Sequence, residues 1–162
     1  MAKIYTAQET AITWKNTGGT YVFTGTSVAN AAGRVGAQGD LGSGSRCDRY
    51  IWYAEVQCIA TPTAGNVVNV YLARGNSTTE IEGNPGTSDA ALSAETACRN
   101  MLFLGAIVVE TATADKKFIA SGVVEIAHRY VSPALFNNAG SALTSDAAEH
   151  YFTLTPVPPE IQ

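Results

Sequence analysis

Arg49 to Ala60, R-Y-I-W-Y-A-E-V-Q-C-I-A, decides the fold class, because no other stretch is so long, so aromatic and so rich in β-forming residues. Its even positions, Tyr50, Trp52, Ala54, Val56, Cys58 and Ala60, form an unbroken apolar set. On the other face, Arg49, Glu55 and Gln57 are mixed with Ile51, Tyr53 and Ile59. A repeat of two residues predicts a central strand with one side on the core. Its mixed side suits water or a neighbouring subunit.

Outward from that strand, Thr61 to Asn66 (T-P-T-A-G-N) reads as a compact turn and Val67 to Arg74 (V-V-N-V-Y-L-A-R) as the returning strand, which together predict a hairpin. Thr20 to Thr24 (T-Y-V-F-T) reads as a strand. In the Gly-rich segment 27–45, which holds five of the 15 glycines, an irregular strand is expected around Ala31 to Val35, followed by a flexible loop. Gly75 to Arg99 reads as a long polar connection crossing between sheets, with a short helical turn within Ser88 to Ala97 capped by Ser88 or Asp89. Asn100 to Glu110 is apolar on both faces and reads as a strand buried in mid-sheet. Phe118 to Val131 reads as a strand broken near Gly122. Ser132 to Asp146 reads as a turn region, and Ala148 to Pro156 as the last strand. Residues 1–19 read as an N-terminal arm with a short strand at Ala11 to Trp14 ending at Gly18-Gly19, and residues 156–162 as an extended arm because P-V-P-P cannot continue a ladder. The sum is an all-β, single-domain antiparallel β-sandwich of jelly-roll type over residues 1–162, with extended N- and C-terminal arms.

Composition narrows the functional classes. Hydrophobic residues are 46% of the chain and charged residues 15%, well under the roughly 25% of ordinary globular proteins. A surface of Thr, Ser, Asn, Ala and Gly suits broad contact with other protein, or is a merely neutral polar exterior. The net charge of −4 argues against nucleic acid or an anionic membrane as partner. The start M-A-K-I-Y-T-A-Q-E-T has no apolar run behind its lysine, and no stretch has the roughly 18 apolar residues of a membrane span. Cys47, Cys58 and Cys98 are odd in number and without a C-x-x-C pair, so neither a disulfide framework nor a zinc site is expected.

Motifs for chemistry are sparse. The Gly-rich segment lacks the G-K-[S/T] ending of a phosphate loop and the strand and helix that frame a dinucleotide fingerprint. Of the two histidines, His150 shares a side with Phe152 and Leu154 and reads as a hydrogen-bonded core-edge residue; His128, beside Arg129, faces an interface. Glu80-x-Glu82 fails the calcium-loop pattern. Glu55 and Glu125 are the pair to inspect for a hydrolase dyad, and Trp52, Tyr53 and Tyr71 for a sugar platform. The candidate binding or interface residues are Tyr53, Glu55, Tyr71, His128 and Arg129; no catalytic, cofactor or metal residue is expected.

R-Y-I-W-Y-A-E-V-Q-C-I-A-T-P with V-V-N-V-Y-L-A-R-G, then V-S-P-A-L-F-N-N-A-G-S-A-L-T-S-D, and the ending H-Y-F-T-L-T-P-V-P-P-E-I-Q resemble the β-sandwich structural proteins of tailed-bacteriophage virions. Within that group the likeness is to jelly-roll capsid decoration (cement) proteins and related head or tail fibre domains, over residues 46–162. The resemblance implies a non-enzymatic component, made in the host cytoplasm, that oligomerises as a homotrimer and sits on the major capsid protein lattice at the virion surface. The alternative is a glycan- or receptor-binding module of a phage fibre.

Overall fold

The computed structural model describes residues 4–6, 8–44 and 46–161. Among these residues twelve strands are formed: β1 Ile4–Thr6, β2 Ile12–Lys15, β3 Ala32–Val35, β4 Gly39–Asp40, β5 Arg49–Gln57, β6 Val67–Gly75, β7 Ala90–Leu92, β8 Leu102–Val108, β9 Lys117–Glu125, β10 Tyr130–Asn138, β11 Tyr151–Pro156 and β12 Pro159–Ile161. One sheet has the order β2-β11-β5-β9; the other is β7-β3-β10-β6-β8, with β4 also on β10. Every ladder is antiparallel.

The pairing follows a nested plan. β6 meets β8, β5 meets β9, β3 meets β10, β2 meets β11 and β1 meets β12. The chain is therefore one long folded-back ribbon with its tip between β6 and β8. Rolling that ribbon brings β11 onto β5 and β10 onto β6, which closes the two sheets over one another. The result is the strand order of a jelly roll, so the sandwich predicted by the alternating pattern is the fold.

The core lies where the two inner faces meet. Tyr50, Trp52, Ala54, Val56 and Cys58 point inward from β5 and its end, opposite Val68, Val70 and Leu72 of β6. That opposition corrects the expected hairpin. β5 and β6 lie in different sheets, and residues 58–66 bridge the sandwich. Two alternating strands bury their apolar sides equally well side by side or face to face, so periodicity does not choose; the nine-residue link, long for a hairpin, is what favours the crossing.

Other elements differ from expectation for physical reasons. The connection 76–101 does not pass between sheets, since β6 and β8 are neighbours in one sheet. It folds back over that sheet's outer face instead, laying Ile81, Cys98 and Met101 on Val35, Ala73 and Ala134. Its helical content is a single 3-10 turn, Glu95–Cys98, preceded by Ala94 with no side-chain cap. Asp89 is engaged elsewhere, as ion partner of Arg34 and acceptor for the Thr24 amide at 2.9 Å. β8 is an edge strand, not a central one. Thr20 to Thr24 contributes only a bridge from Tyr21 to Trp14. The short strand expected at Ala11 to Trp14 is present as Ile12–Lys15 in the sheet, but the ends are not free arms, since β12, despite Pro159, pairs with β1.

Residues 132–138 belong to β10, not to a turn. Pro133 is tolerated in this central strand because β3 and β4 are interrupted opposite it at residues 36–38, so no ladder partner awaits the missing N–H. β9 runs unbroken through Gly122, whose role is space: a Cβ there would stand 2.7 Å from Nε1 of Trp52. Gly105 of β8 lies against the same ring, where a Cβ would stand 3.3 Å from Cζ2. Gly122→Ala is accordingly expected to destabilise the protein by about 1–3 kcal/mol in urea unfolding, whereas the outward-facing Ser121→Ala should change stability by no more than about 0.5 kcal/mol.

Candidate functional site

The mixed side of β5 becomes part of the outer face of the β2-β11-β5-β9 sheet. Register sets three rows across it. Thr13, Thr153, Tyr53 and Ser121 form the middle row; Lys15, Tyr151, Glu55 and Ile119 lie on one side of it, and Thr155, Ile51 and Val123 on the other. Neighbouring strands are about 4.8 Å apart, so these residues tile a nearly flat surface. Ile119 and Val123 are 58% and 56% exposed, unusual for aliphatic side chains with core positions adjacent to them on the same strand.

At the centre of this face Glu55 is only 7% exposed, although it points away from the core. The Tyr53 and Tyr151 rings, stacked at 5.6 Å, flank it, and their hydroxyls donate to Oε2 at 2.7 and 3.1 Å. Lys117 Nζ stands 3.2 Å from Oε1 and also pairs with Glu149. Lys15 lies 5.3 Å from the Tyr151 ring centre. Burial opposes the charge on Glu55, but the donors Tyr53, Lys117 and Tyr151 outweigh it and hold the carboxyl below the ordinary range. Burial and the bond to Glu55 push the Tyr53 phenol well above its usual value. Lys117, bonded to Glu149 and Glu55, is raised to about 12. The carboxylate is thus committed to a fixed charged network, which makes it a rigid part of the surface and a poor proton donor.

The remaining candidates are dispersed. Tyr71 is on the outer face of the opposite sheet, where its hydroxyl donates to Glu95 Oε1 at 2.7 Å. Arg129 lies in the link between β9 and β10 and grips Asp40 with two bonds of 2.8 and 2.7 Å, holding that exposed carboxyl at about 2. His128 lines a separate cleft with Arg74 and Glu82. The structure therefore brings Tyr53 and Glu55 together and leaves Tyr71, His128 and Arg129 apart from them. Trp52 is core and 4% exposed, so no platform forms from Trp52, Tyr53 and Tyr71.

Glu55 and Glu125 do not make a dyad. They occur on adjacent strands, but Glu125 is opposite Arg49, six residues along β5 from Glu55. That places them about 20 Å apart along the strand direction, beyond the ~5–9.5 Å of glycosidase pairs. Glu82 is taken up by Arg74 at 3.0 and 2.8 Å. Among the described residues no group of three His, Cys, Asp or Glu is arranged to hold a metal. His150 is buried, its Nε2 2.9 Å from the Thr144 carbonyl, and burial lowers its pKa so that it stays neutral.

Lys117 and Tyr151, which complete the Glu55 network, were not visible as site residues because they join it only through strand register. Their signal was weak: Tyr151 follows the outward phase of the expected last strand, whereas Lys117 read as the end of a polar turn and is the first residue of β9. No protein-family model and no curated protein sequence matches the chain.

Glu55 gives a pH test with a definite sign. Its folded pKa lies below the unfolded value of about 4.3, so its stabilisation is complete above that value and is lost as pH falls through the folded one. Glu55→Gln should cost about 1–3 kcal/mol at pH 7, and the gap to wild type should close towards pH 3. Urea titrations of both proteins at the two pH values check this.

Proposed function

We propose that the chain is a non-enzymatic structural protein of a virion, a homotrimeric jelly-roll component that binds the major capsid protein lattice and reinforces the shell from its surface. The observation that carries the reading is the outer face of the β2-β11-β5-β9 sheet: open, with its central charges paired to one another, and bearing Ile119 and Val123 more than half exposed around a locked Glu55 network. Exposed aliphatic groups on a rigid sheet favour burial against protein, and at about 25 cal/mol per Å² each such side chain contributes on the order of 1 kcal/mol when covered. Scattered charge of 15% leaves little to repel a second copy. The resemblance to phage decoration proteins points in the same direction.

Size adds a constraint. Four strands by about six residues cover roughly 400 Å² in projection, about half the ~800 Å² per partner of a stable protein contact. A trimer or a lattice contact built on this face therefore extends beyond it, onto the loops at its ends. Because a three-fold ring joins unlike patches, one such contact uses the face and a second surface receives it.

Light scattering on the native protein should give three times the chain mass, and the trimer should sediment with assembled phage capsids. The double variant Ile119→Lys with Val123→Lys should fold, as judged by unchanged circular dichroism, and run as a monomer that stays in the supernatant. A wild-type monomer that ignores capsids would sink the proposal, as would a double variant that keeps the full mass.

A further inference from the structure

We propose that a second site, the cleft between the 3-10 turn Glu95–Cys98 and strands β6 and β8, binds one neutral pyranose ring, a function separate from assembly and on the opposite side of the sandwich. The cleft has a volume of about 320 Å³ and is lined by Tyr71, Glu95, Thr96, Arg99, Met101 and Phe103, with Cys98 beneath. That is the low end of the ~300–1,000 Å³ range of small-molecule sites, and it suits a single sugar ring.

Three features specify the ligand. The first is Phe103, which is 54% exposed although it sits on a sheet beside buried residues. Its ring lies 5.3 Å from that of Tyr71, tilted by 57°, so an aromatic wall is held in place by a second ring. An aromatic wall of this kind matches the C–H face of a pyranose.

The second is Glu95. Its Oε1 accepts from Asn69 at 2.6 Å and Tyr71 at 2.7 Å, while Oε2 accepts only from Asn138, at 3.3 Å. A carboxylate has about four acceptor positions, so Oε2 keeps one for a sugar hydroxyl. Burial disfavours the charge on Glu95, but the donors Asn69, Tyr71 and Asn138 outweigh it and keep the group ionised. Its three partners also fix the carboxylate in place before any ligand arrives, which reduces the ordering cost of binding.

The third is the pairing of roles at the rim. Glu95 only accepts, Arg99 only donates, and the Thr96 hydroxyl does both. Sugar hydroxyls donate and accept at once, so adjacent hydroxyls on one ring edge meet this set. With one acidic and one basic residue, Glu95 and Arg99, the lining has no net formal charge, which favours an uncharged ring. Cys98 adds no charge, since burial and the nearby Glu95 raise its thiol to about 11.

Methyl glucopyranoside, methyl galactopyranoside and methyl N-acetylglucosaminide, each titrated into the native protein and followed by amide NMR shifts, test the site. At least one should give saturable shifts confined to the segment around Glu95, Arg99 and Phe103, with a Kd on the order of 1 mM. Phe103→Ala should weaken that binding at least tenfold, Phe103→Tyr should retain it, and both should keep the wild-type mass by light scattering. No shift with any of the three, shifts elsewhere on the surface, an unaffected Phe103→Ala, or binding of methyl glucuronide alone would each overturn the assignment. Mass and capsid binding are read independently, so failure here leaves the assembly proposal standing, and the reverse.

Discussion

One indole holds this sandwich closed on its β8–β9 side. Trp52 projects from the centre of β5 into the space between the sheets and touches a glycine from each edge, Gly105 on β8 and Gly122 on β9. These two strands are the terminal members of their sheets and share no ladder with each other. No ladder ties them together, and the ring packs in the core between them with Ile107, Phe118 and Val124. An aromatic side chain of that size buries roughly 150–250 Å², and here it does so only because neither facing residue has a Cβ. Trp14 repeats the arrangement at the other side of the sandwich, fully buried, against Gly39. Gly39, read as part of a flexible loop, and Gly122, read as a strand break, are thus space left for the tryptophans.

The same logic explains what the sequence disclosed. Alternation in β5 and β6 correctly assigned every inward residue from Tyr50 to Cys58 and from Val68 to Leu72, because burial on one face is a local property of a strand. It did not assign which strands are adjacent. A hairpin and a crossing bury identical side chains, so the β5–β6 link was read as a turn when it is a bridge. Phe103 and Val108 made Asn100 to Glu110 look buried on both sides, yet they are exposed on an edge strand. An apolar residue kept outside for a partner carries the same letter as one kept inside for the core. Of the interface candidates, Tyr53 and Glu55 proved to be neighbours since two residues along a strand share a face. Glu95 and Lys117 were illegible because only long-range pairing brings them to Tyr71 and Glu55.

Both outer faces use one device for different ends. Glu55 and Glu95 are carboxylates held on a sheet surface by tyrosine hydroxyls, and each is kept charged by donors that overcome burial. Each takes three donors for about four acceptor positions: two phenols and a lysine shared with Glu149 at Glu55, two amides and a phenol at Glu95. What differs is the surroundings, since only at Glu95 does an overlying 3-10 turn form a cleft beside the carboxylate. Flatness suits protein contact and a cleft suits a small polar ligand, so the covering segment 76–101 is what makes the two sides of the molecule unlike.

The nested ribbon also dictates how the chain reaches this state. The tip rung joins Leu72 to Leu102, whereas the rung that places Trp14 joins it to Phe152. Closing a loop between distant residues costs more entropy than closing a short one, and each inner rung shortens the loop left to the next. Folding by zipping from the β6–β8 tip outwards is the economical route, and a topology so dominated by distant pairings is slow. During synthesis β2, β3 and β5 leave the ribosome long before β9, β10 and β11 exist, so the most aromatic strand of the protein waits uncovered for its partners. A chain of this design depends on its last fifty residues to hide its first sixty.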